Sequence, residues 1–171
     1  DARDHDDAIW AGPDSDTGNP GGHIVLVAIA DVAHYVTAGS PPDKEAFKRD
    51  NSAYFPDRAV PMLPEELSAD LCSLKEGVDR ACLVARMVFD AQGHKKSHRF
   101  ERAIMRSAAR LSYGDAQAAF DGKPKDGMSA AVKKTLADIW NAYRALTIAR
   151  GKRDPLDLDL PERRVVLGAD G

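Results

Sequence analysis

Cysteine is scarce in this sequence, and the two that occur, Cys72 and Cys82, fit no metal-binding or redox spacing. Long apolar runs are also missing, since no stretch approaches the roughly 18 residues that a membrane-spanning helix requires, and no signal peptide is visible. We therefore interpret the cysteines as reduced packing residues, and we expect a cytoplasmic protein without membrane association.

Neither sign of charge dominates, because 24 lysines and arginines face 27 aspartates and glutamates, for a formal net charge of −3. The chain as a whole thus lacks the basic excess of a protein that binds nucleic acid over its entire surface. Its 43% hydrophobic and 30% charged residues are typical of one globular domain with a real core.

Hydrophobic periodicity and turn residues predict an α+β fold, with a mixed or antiparallel sheet flanked by helices. Strands are predicted at 8–10, 23–30 (buried on both faces), 81–90, 95–106 and 163–168. Helices are predicted at 42–51, 65–71, 112–121 and 129–150, with an exposed loop at 11–22 and a rigid extended segment at 52–64. Residues 95–106 also fit a helical stripe, but the turn at 91–93 favours a hairpin.

Aspartate occupies positions 1, 4, 6 and 7, in the sequence DARDHDDA. Carboxylates this close repel one another unless cations neutralise them. Mg²⁺ favours carboxylate oxygens together with water and phosphate oxygens, so one interpretation is a metal site for phosphate chemistry. The other interpretation is a solvated acidic segment whose aspartates cap the next element, and the cluster by itself favours neither.

Five segments in chain order carry a resemblance to a known family. They are DARDHDDA, VAIADVAHYV, NSAYFPDRAVPMLPEELSADLCSL, DRACLVARM and RLSYGDAQ. Together they resemble the catalytic RNB domain of the ribonuclease II and ribonuclease R family, particularly its bacterial ribonuclease R-like members. The resemblance implies that residues 1–171 are the N-terminal part of a single RNB-type domain, which is expected to start before residue 1 and to continue beyond residue 171.

The activity implied by this resemblance is 3′→5′ hydrolysis of single-stranded RNA to nucleoside 5′-monophosphates with Mg²⁺ or Mn²⁺. Asp4, Asp6 and Asp7 fall on the family's catalytic, metal-binding aspartates, and Asp1 falls on an acidic position of lower weight. Other family site residues lie outside these 171, so we expect the isolated chain to be weak or inactive. The parent protein is expected to be a monomer that acts at the RNA 3′ end.

Tyr54 and Tyr113 fall on family tyrosines near the RNA, where stacking on a base tolerates any sequence. The alternative for each is a core tyrosine. Lysines and arginines outnumber acidic residues between 95 and 110, and Arg102, Arg106 and Arg110 are candidates for phosphate contacts. The alternative for these arginines is a solvated charged face.

Asp31 and His34 follow a predicted strand, where they either support a metal site from outside its ligand set or make structural hydrogen bonds.

The competing function for the whole chain is a non-catalytic RNA-binding or regulatory module of the same fold. The intact aspartates at positions 4, 6 and 7 argue against this alternative.

Overall fold

The structure, a computed structural model, describes residues 5–153. Its strands are β1 (Asp7–Pro13), β2 (His23–Ala30), β3 (Ala53–Tyr54), β4 (Ala59–Val60), β5 (Asp79–Phe89) and β6 (Lys95–Arg106). The four long strands form an antiparallel sheet in the order β1-β2-β5-β6, and β3 pairs with β4 in a separate small sheet. The α+β class with an antiparallel sheet is therefore confirmed.

Four α-helices and one π-helical segment accompany the sheet. They are α1 (Val32–Tyr35), α2 (Pro41–Arg49), the π-helical segment Leu67–Leu71, α3 (Tyr113–Phe120) and α4 (Ala130–Gly151). Serine side chains cap α2, α3 and α4 by accepting a backbone N–H from the first turn, which compensates a donor that the helix leaves unpaired. Within residues 5–153, no helix combines the length and the apolar character needed to cross a membrane.

Both faces of the sheet carry a core. On one face, Ala142 of α4 packs with Ala11, Val25 and Phe89 of three strands. On the other face, Cys72 and Leu74 pack with Ala28, Ala30 and Cys82, in the segment that follows the π-helical turn. Both cysteines are buried and free of disulfides, as predicted, and burial raises the pKa of each thiol.

The hairpin of β5 and β6 confirms the strand prediction for residues 95–106 over the helical alternative. The pairing runs from Asp79 opposite Arg106 to Val88 opposite Ser97, with a register shift beside the turn. The turn glycine, Gly93, has a φ of +81°, and a Cβ there would overlap the Ala145 carbonyl of α4. Glycine is thus required both for the backbone conformation and for the close approach of the helix.

Three predictions on local structure need correction. Strand β1 continues to Pro13, where a loop was predicted from residue 11, because Ala11 pairs with Val25 and is buried. Strand β2 is not buried on both faces, since Ile29 is exposed. The predicted helix at 65–71 is mostly π-helical. The predicted strand at 163–168 lies outside the described residues.

Substitution of Gly93 by alanine is expected to destabilise the fold more than the same change at Gly122. Both glycines have positive φ, but the space around Gly122 is open. The left-handed backbone costs about 1–2 kcal/mol at either site, and overpacking against α4 adds about 1–3 kcal/mol at Gly93 alone. Urea unfolding followed by circular dichroism measures both variants, and equal losses of unfolding free energy would contradict the close approach.

Candidate active site

A cavity of about 310 Å³ lies at the end of the sheet where β1 begins and β2 ends. Four stretches of chain contribute to its wall, namely the acidic segment, the end of β2, the β3–β4 region and the segment around the π-helical turn. The lining residues are Asp6, Ile29, Ala30, Val32, Ser52, Tyr54, Met62, Leu63, Ser68 and Cys72. The wall is mostly apolar, and Asp6 is the one carboxylate that the described residues contribute to it.

Strand pairing fixes the backbone of the two described aspartates of the cluster. The carbonyl of Asp6 accepts the N–H of Ala30 at 2.8 Å, and Asp7 stands opposite Ile29 in the register. Successive strand residues point to opposite faces, so Asp7 shares the face of Ile9, and Asp6 is the one that lines the cavity. Asp1 and Asp4 lie outside the described residues.

Carboxylate oxygens of Asp6 and Asp7 are hard donors of the kind that Mg²⁺ takes, and Mg²⁺ is commonly held by only one or two carboxylates plus phosphate and water. Within residues 5–153, no group of three or more histidine, cysteine, aspartate or glutamate side chains is arranged to hold a metal ion. The donor type therefore fits the ion, and metal binding by Asp6 and Asp7 stays a prediction.

Tyr54 lines the same cavity as Asp6, although the two come from separate parts of the chain. Tyr54 is 74% exposed in this 171-residue chain, so it is not part of the core that the structure describes. The β3–β4 hairpin that carries it is tied at its base, because the Ser52 hydroxyl accepts the N–H of Met62 at 3.0 Å. Arg49 of α2 donates to the Pro61 carbonyl at 3.1 Å, so the hairpin is attached to the helix before it.

Tyr113 is the first residue of α3 and is 99% exposed. Tyr113 is therefore also not part of the core that the structure describes. Tyr113 does not line the cavity that contains Asp6 and Tyr54, and its contact with RNA stays a prediction.

Asp31 and Arg102 form a two-point ion pair behind the cavity. Arg102 donates Nε to Oδ2 of Asp31 at 2.7 Å and Nη2 to Oδ1 at 3.1 Å. The hydrogen bond from Arg102 lowers the pKa of Asp31, whose side chain is only 10% exposed. His34 lines a second cavity of about 320 Å³ with these two residues. Of the two roles predicted for Asp31, the structure shows the structural hydrogen bond, because its carboxylate is bound to an arginine.

The other candidate arginines also have acidic neighbours. Arg106 donates Nε to Asp79 Oδ1 at 2.7 Å, and this hydrogen bond raises the pKa of Arg106 and lowers that of Asp79. The backbone N–H of Arg110 donates to Glu76 at 2.9 Å. Arg102 and Arg106 are therefore already paired with carboxylates, and phosphate binding by Arg102, Arg106 and Arg110 stays a prediction.

Cys72 is the one thiol that the described residues contribute to the cavity wall. Burial and the negative charge of Asp6 raise the pKa of the thiol. A thiol kept protonated is a poor nucleophile, so this environment disfavours covalent catalysis by Cys72. The chemistry that the site can support is centred on carboxylate oxygens and an exposed aromatic ring.

Comparison with known proteins gives the class to which this arrangement belongs. Residues 1–171 match the RNB domain, and the chain therefore belongs to the RNB domain family. Ribonuclease R of Vibrio parahaemolyticus is 39% identical over 172 residues, covering 99% of this chain and 20% of that protein. The chain thus spans about a fifth of the length of the curated relatives it matches.

Solved structures agree with this assignment. The structure of Mycoplasma genitalium RNase R in complex with ribose-methylated single-stranded RNA matches with a TM-score of 0.89 and 34% identity, over 98% of this chain and 26% of that one. Yeast Ssd1, described as a pseudonuclease, matches with a TM-score of 0.64 and 22% identity, over 92% of this chain and 20% of that one. The second likeness concerns the fold alone. The predicted resemblance to ribonuclease R is confirmed.

The Asp31–Arg102 pair is expected to make stability depend on pH in the acidic range. Because the pKa of Asp31 is lowered on folding, its contribution is complete above the unfolded-state pKa of roughly 3.9 and is lost as the pH falls through the lower folded pKa. A double-mutant cycle of Asp31→Asn and Arg102→Met, measured by urea unfolding, should give a coupling free energy at pH 7 that shrinks toward pH 3. A coupling free energy that does not change with pH would contradict the ion pair.

Proposed function

We propose that this chain supplies the first part of the active site of a metal-dependent 3′→5′ exoribonuclease. The substrate is single-stranded RNA bound by its 3′ end, and the products are nucleoside 5′-monophosphates. The observation that supports this proposal most strongly is that Asp6 and the exposed Tyr54 line one cavity. The similarity to ribonuclease R relatives also supports this proposal.

Asp6, which lines the cavity, would hold Mg²⁺ or Mn²⁺ together with Asp4, and Asp7, on the opposite face of β1, is the third family aspartate proposed for the ion. When bound, the ion polarises the scissile phosphate and lowers the pKa of a water molecule. The contribution of the chain is to fix the carboxylates at the start of β1, where the Ala30 N–H binds the Asp6 carbonyl. Fixed donors need no reorganisation as charge develops in the transition state.

Tyr54 would stack on a base at the RNA 3′ end. Stacking accepts every base because each has an aromatic face. The cavity wall around the ring is largely apolar, with Ile29, Met62 and Leu63 among its residues. Such a wall does not distinguish base edges by hydrogen bonds, which suits an enzyme that degrades RNA of any sequence.

The isolated chain is proposed to be weak or inactive, and to self-associate. One face of the sheet carries a cluster of exposed apolar side chains, which are Ile9, Ile29, Leu83, Phe100 and Ile104. Exposed apolar clusters of this kind favour association. Robust turnover of RNA by the purified 171-residue chain would contradict this part of the proposal.

The second candidate is a non-catalytic RNA-binding module, which the fold-level likeness to a pseudonuclease favours. A module without chemistry would have no use for a carboxylate inside the cavity. The retention of Asp6 in the cavity wall, next to Tyr54, supports the enzyme over the module.

Replacing Asp6 by asparagine in the full-length protein should abolish RNA hydrolysis with little change in RNA binding. Loss of a ligand that positions the ion costs several kcal/mol, which corresponds to about a 10³-fold lower rate. The assay follows a 5′-labelled single-stranded oligoribonucleotide with Mg²⁺ on a denaturing gel. Asp126→Asn, in an exposed loop, is the matched control. Activity that survives Asp6→Asn would refute the assignment.

Replacing Tyr54 by alanine should weaken binding of single-stranded RNA by about 1–3 kcal/mol, as expected for one lost stacking contact. The Tyr54→Phe variant keeps the ring and should bind like the wild type. Fluorescence anisotropy without divalent metal, on oligo(U) and oligo(A) of equal length, measures both variants. Stacking is contradicted if Tyr54→Phe loses as much affinity as Tyr54→Ala, or if neither loses any.

A further inference from the structure

The segment LCSL at residues 71–74 has no part in the chemistry proposed above, yet it binds the acidic segment directly. The Ser73 hydroxyl accepts the backbone N–H of His5 at 3.1 Å. The next residue, Leu74, donates its own N–H to the His5 carbonyl at 2.8 Å. Consecutive residues of one segment therefore hold both backbone polar groups of His5, which stands between Asp4 and Asp6 in the sequence.

A third hydrogen bond fixes the same stretch from the opposite side. The Asp6 carbonyl accepts the Ala30 N–H at the end of β2. His5 and Asp6 are thus held between the sheet and the LCSL segment. An aspartate side chain has only two rotatable bonds, so a fixed backbone determines most of the position of its carboxylate.

Ser73 is itself held rigidly. It is 0% exposed, and its neighbours Cys72 and Leu74 belong to the core. Arg80 of β5 donates Nε to the Ser73 carbonyl at 3.1 Å and Nη2 to Asp70 at 2.8 Å. The serine hydroxyl therefore contacts His5 from a buried segment. Packing of Cys72 and Leu74 and the hydrogen bond to the Ser73 carbonyl both fix that segment.

We propose that Ser73 is a positioning residue for the metal-binding aspartates, acting through the backbone of His5. This inference rests on the proposed function and deepens it. Without the hydroxyl, the part-buried His5 N–H loses its acceptor, and one of the three backbone hydrogen bonds described above is lost. A displacement of about 1 Å at a reacting centre is enough to lower a rate by about 10²-fold.

The test uses the full-length protein with Ser73→Ala. Substitution of a group that orients metal ligands typically costs about 10- to 100-fold in metal affinity or activity, so we expect Mn²⁺ affinity by electron paramagnetic resonance and kcat with Mg²⁺ to fall by that factor. KM for RNA and metal-free RNA binding should stay near wild type. Faster amide exchange is expected in the peptide that contains His5.

Ser107→Ala is the matched control, since this serine donates only to the nearby Ala109 carbonyl and lies outside the cavity wall. If Ser73→Ala fails to fold, Ser73→Cys keeps the side-chain volume with a weaker acceptor and is expected to show the same losses in smaller size. Proper folding is checked by circular dichroism.

The positioning role is overturned if folded Ser73→Ala or Ser73→Cys keeps Mn²⁺ affinity, kcat and His5 exchange like Ser107→Ala. It is also overturned if RNA binding falls together with kcat, since that result indicates general disruption. Failure of the exoribonuclease proposal is recognised separately, because wild type would then not hydrolyse RNA, while the exchange measurement still reports whether Ser73 holds His5.

Discussion

Antiparallel pairing between β1 and β2 determines where Asp6 and Asp7 lie. The register places Asp7 opposite Ile29 and Pro13 opposite His23, and the Ala30 N–H extends the pairing to the Asp6 carbonyl. A shift by one residue would exchange the two faces of the strand, and Asp6 would leave the cavity wall. Burial of Ala11 and Val25 under α4 opposes such a shift, because the slipped strand would turn these side chains away from the helix.

Some polar side chains in this part of the fold are bound in ion pairs, whereas others are exposed to solvent. Asp31 is bound at two points by Arg102, and Asp79 is bound by Arg106. Tyr54, in contrast, presents most of its ring to solvent from a hairpin that is fixed at its base. A rigid, exposed ring loses little freedom when it binds a partner, so the hairpin is suited to a stacking contact.

Much of the fold follows from local sequence patterns. The β5–β6 hairpin, the serine-capped helix α4 and the buried cysteines were all predictable, because turn residues, caps and apolar periodicity act over short distances. The end of β1 was not, because the turn formers at 11–13 are overridden by pairing with β2. The π-helical turn likewise has no local signal that separates it from an α-helix.

The candidate site is likewise only partly predictable from local sequence patterns. Asp6 and Tyr54 were marked as candidates by their motifs, but their meeting in one cavity depends on long-range packing. The hydrogen bond from His5 to Ser73 spans 68 positions of the chain, and no periodicity in the sequence reports such a contact. The ion pairs of Arg102 and Arg106 depend on long-range strand packing, so the sequence did not show that these two arginines have carboxylate partners.

The central claim is that these aspartates hold an ion that contacts the scissile phosphate at the RNA 3′ end. A sulfur substitution at one non-bridging oxygen of the last phosphodiester tests this most directly, since the soft sulfur is a poor ligand for Mg²⁺ and a better one for Mn²⁺. The account predicts that one diastereomer resists the full-length protein with Mg²⁺ and is cleaved once Mn²⁺ is added. Equal cleavage of both diastereomers with either ion, or shortening that begins at the 5′ end, would contradict it.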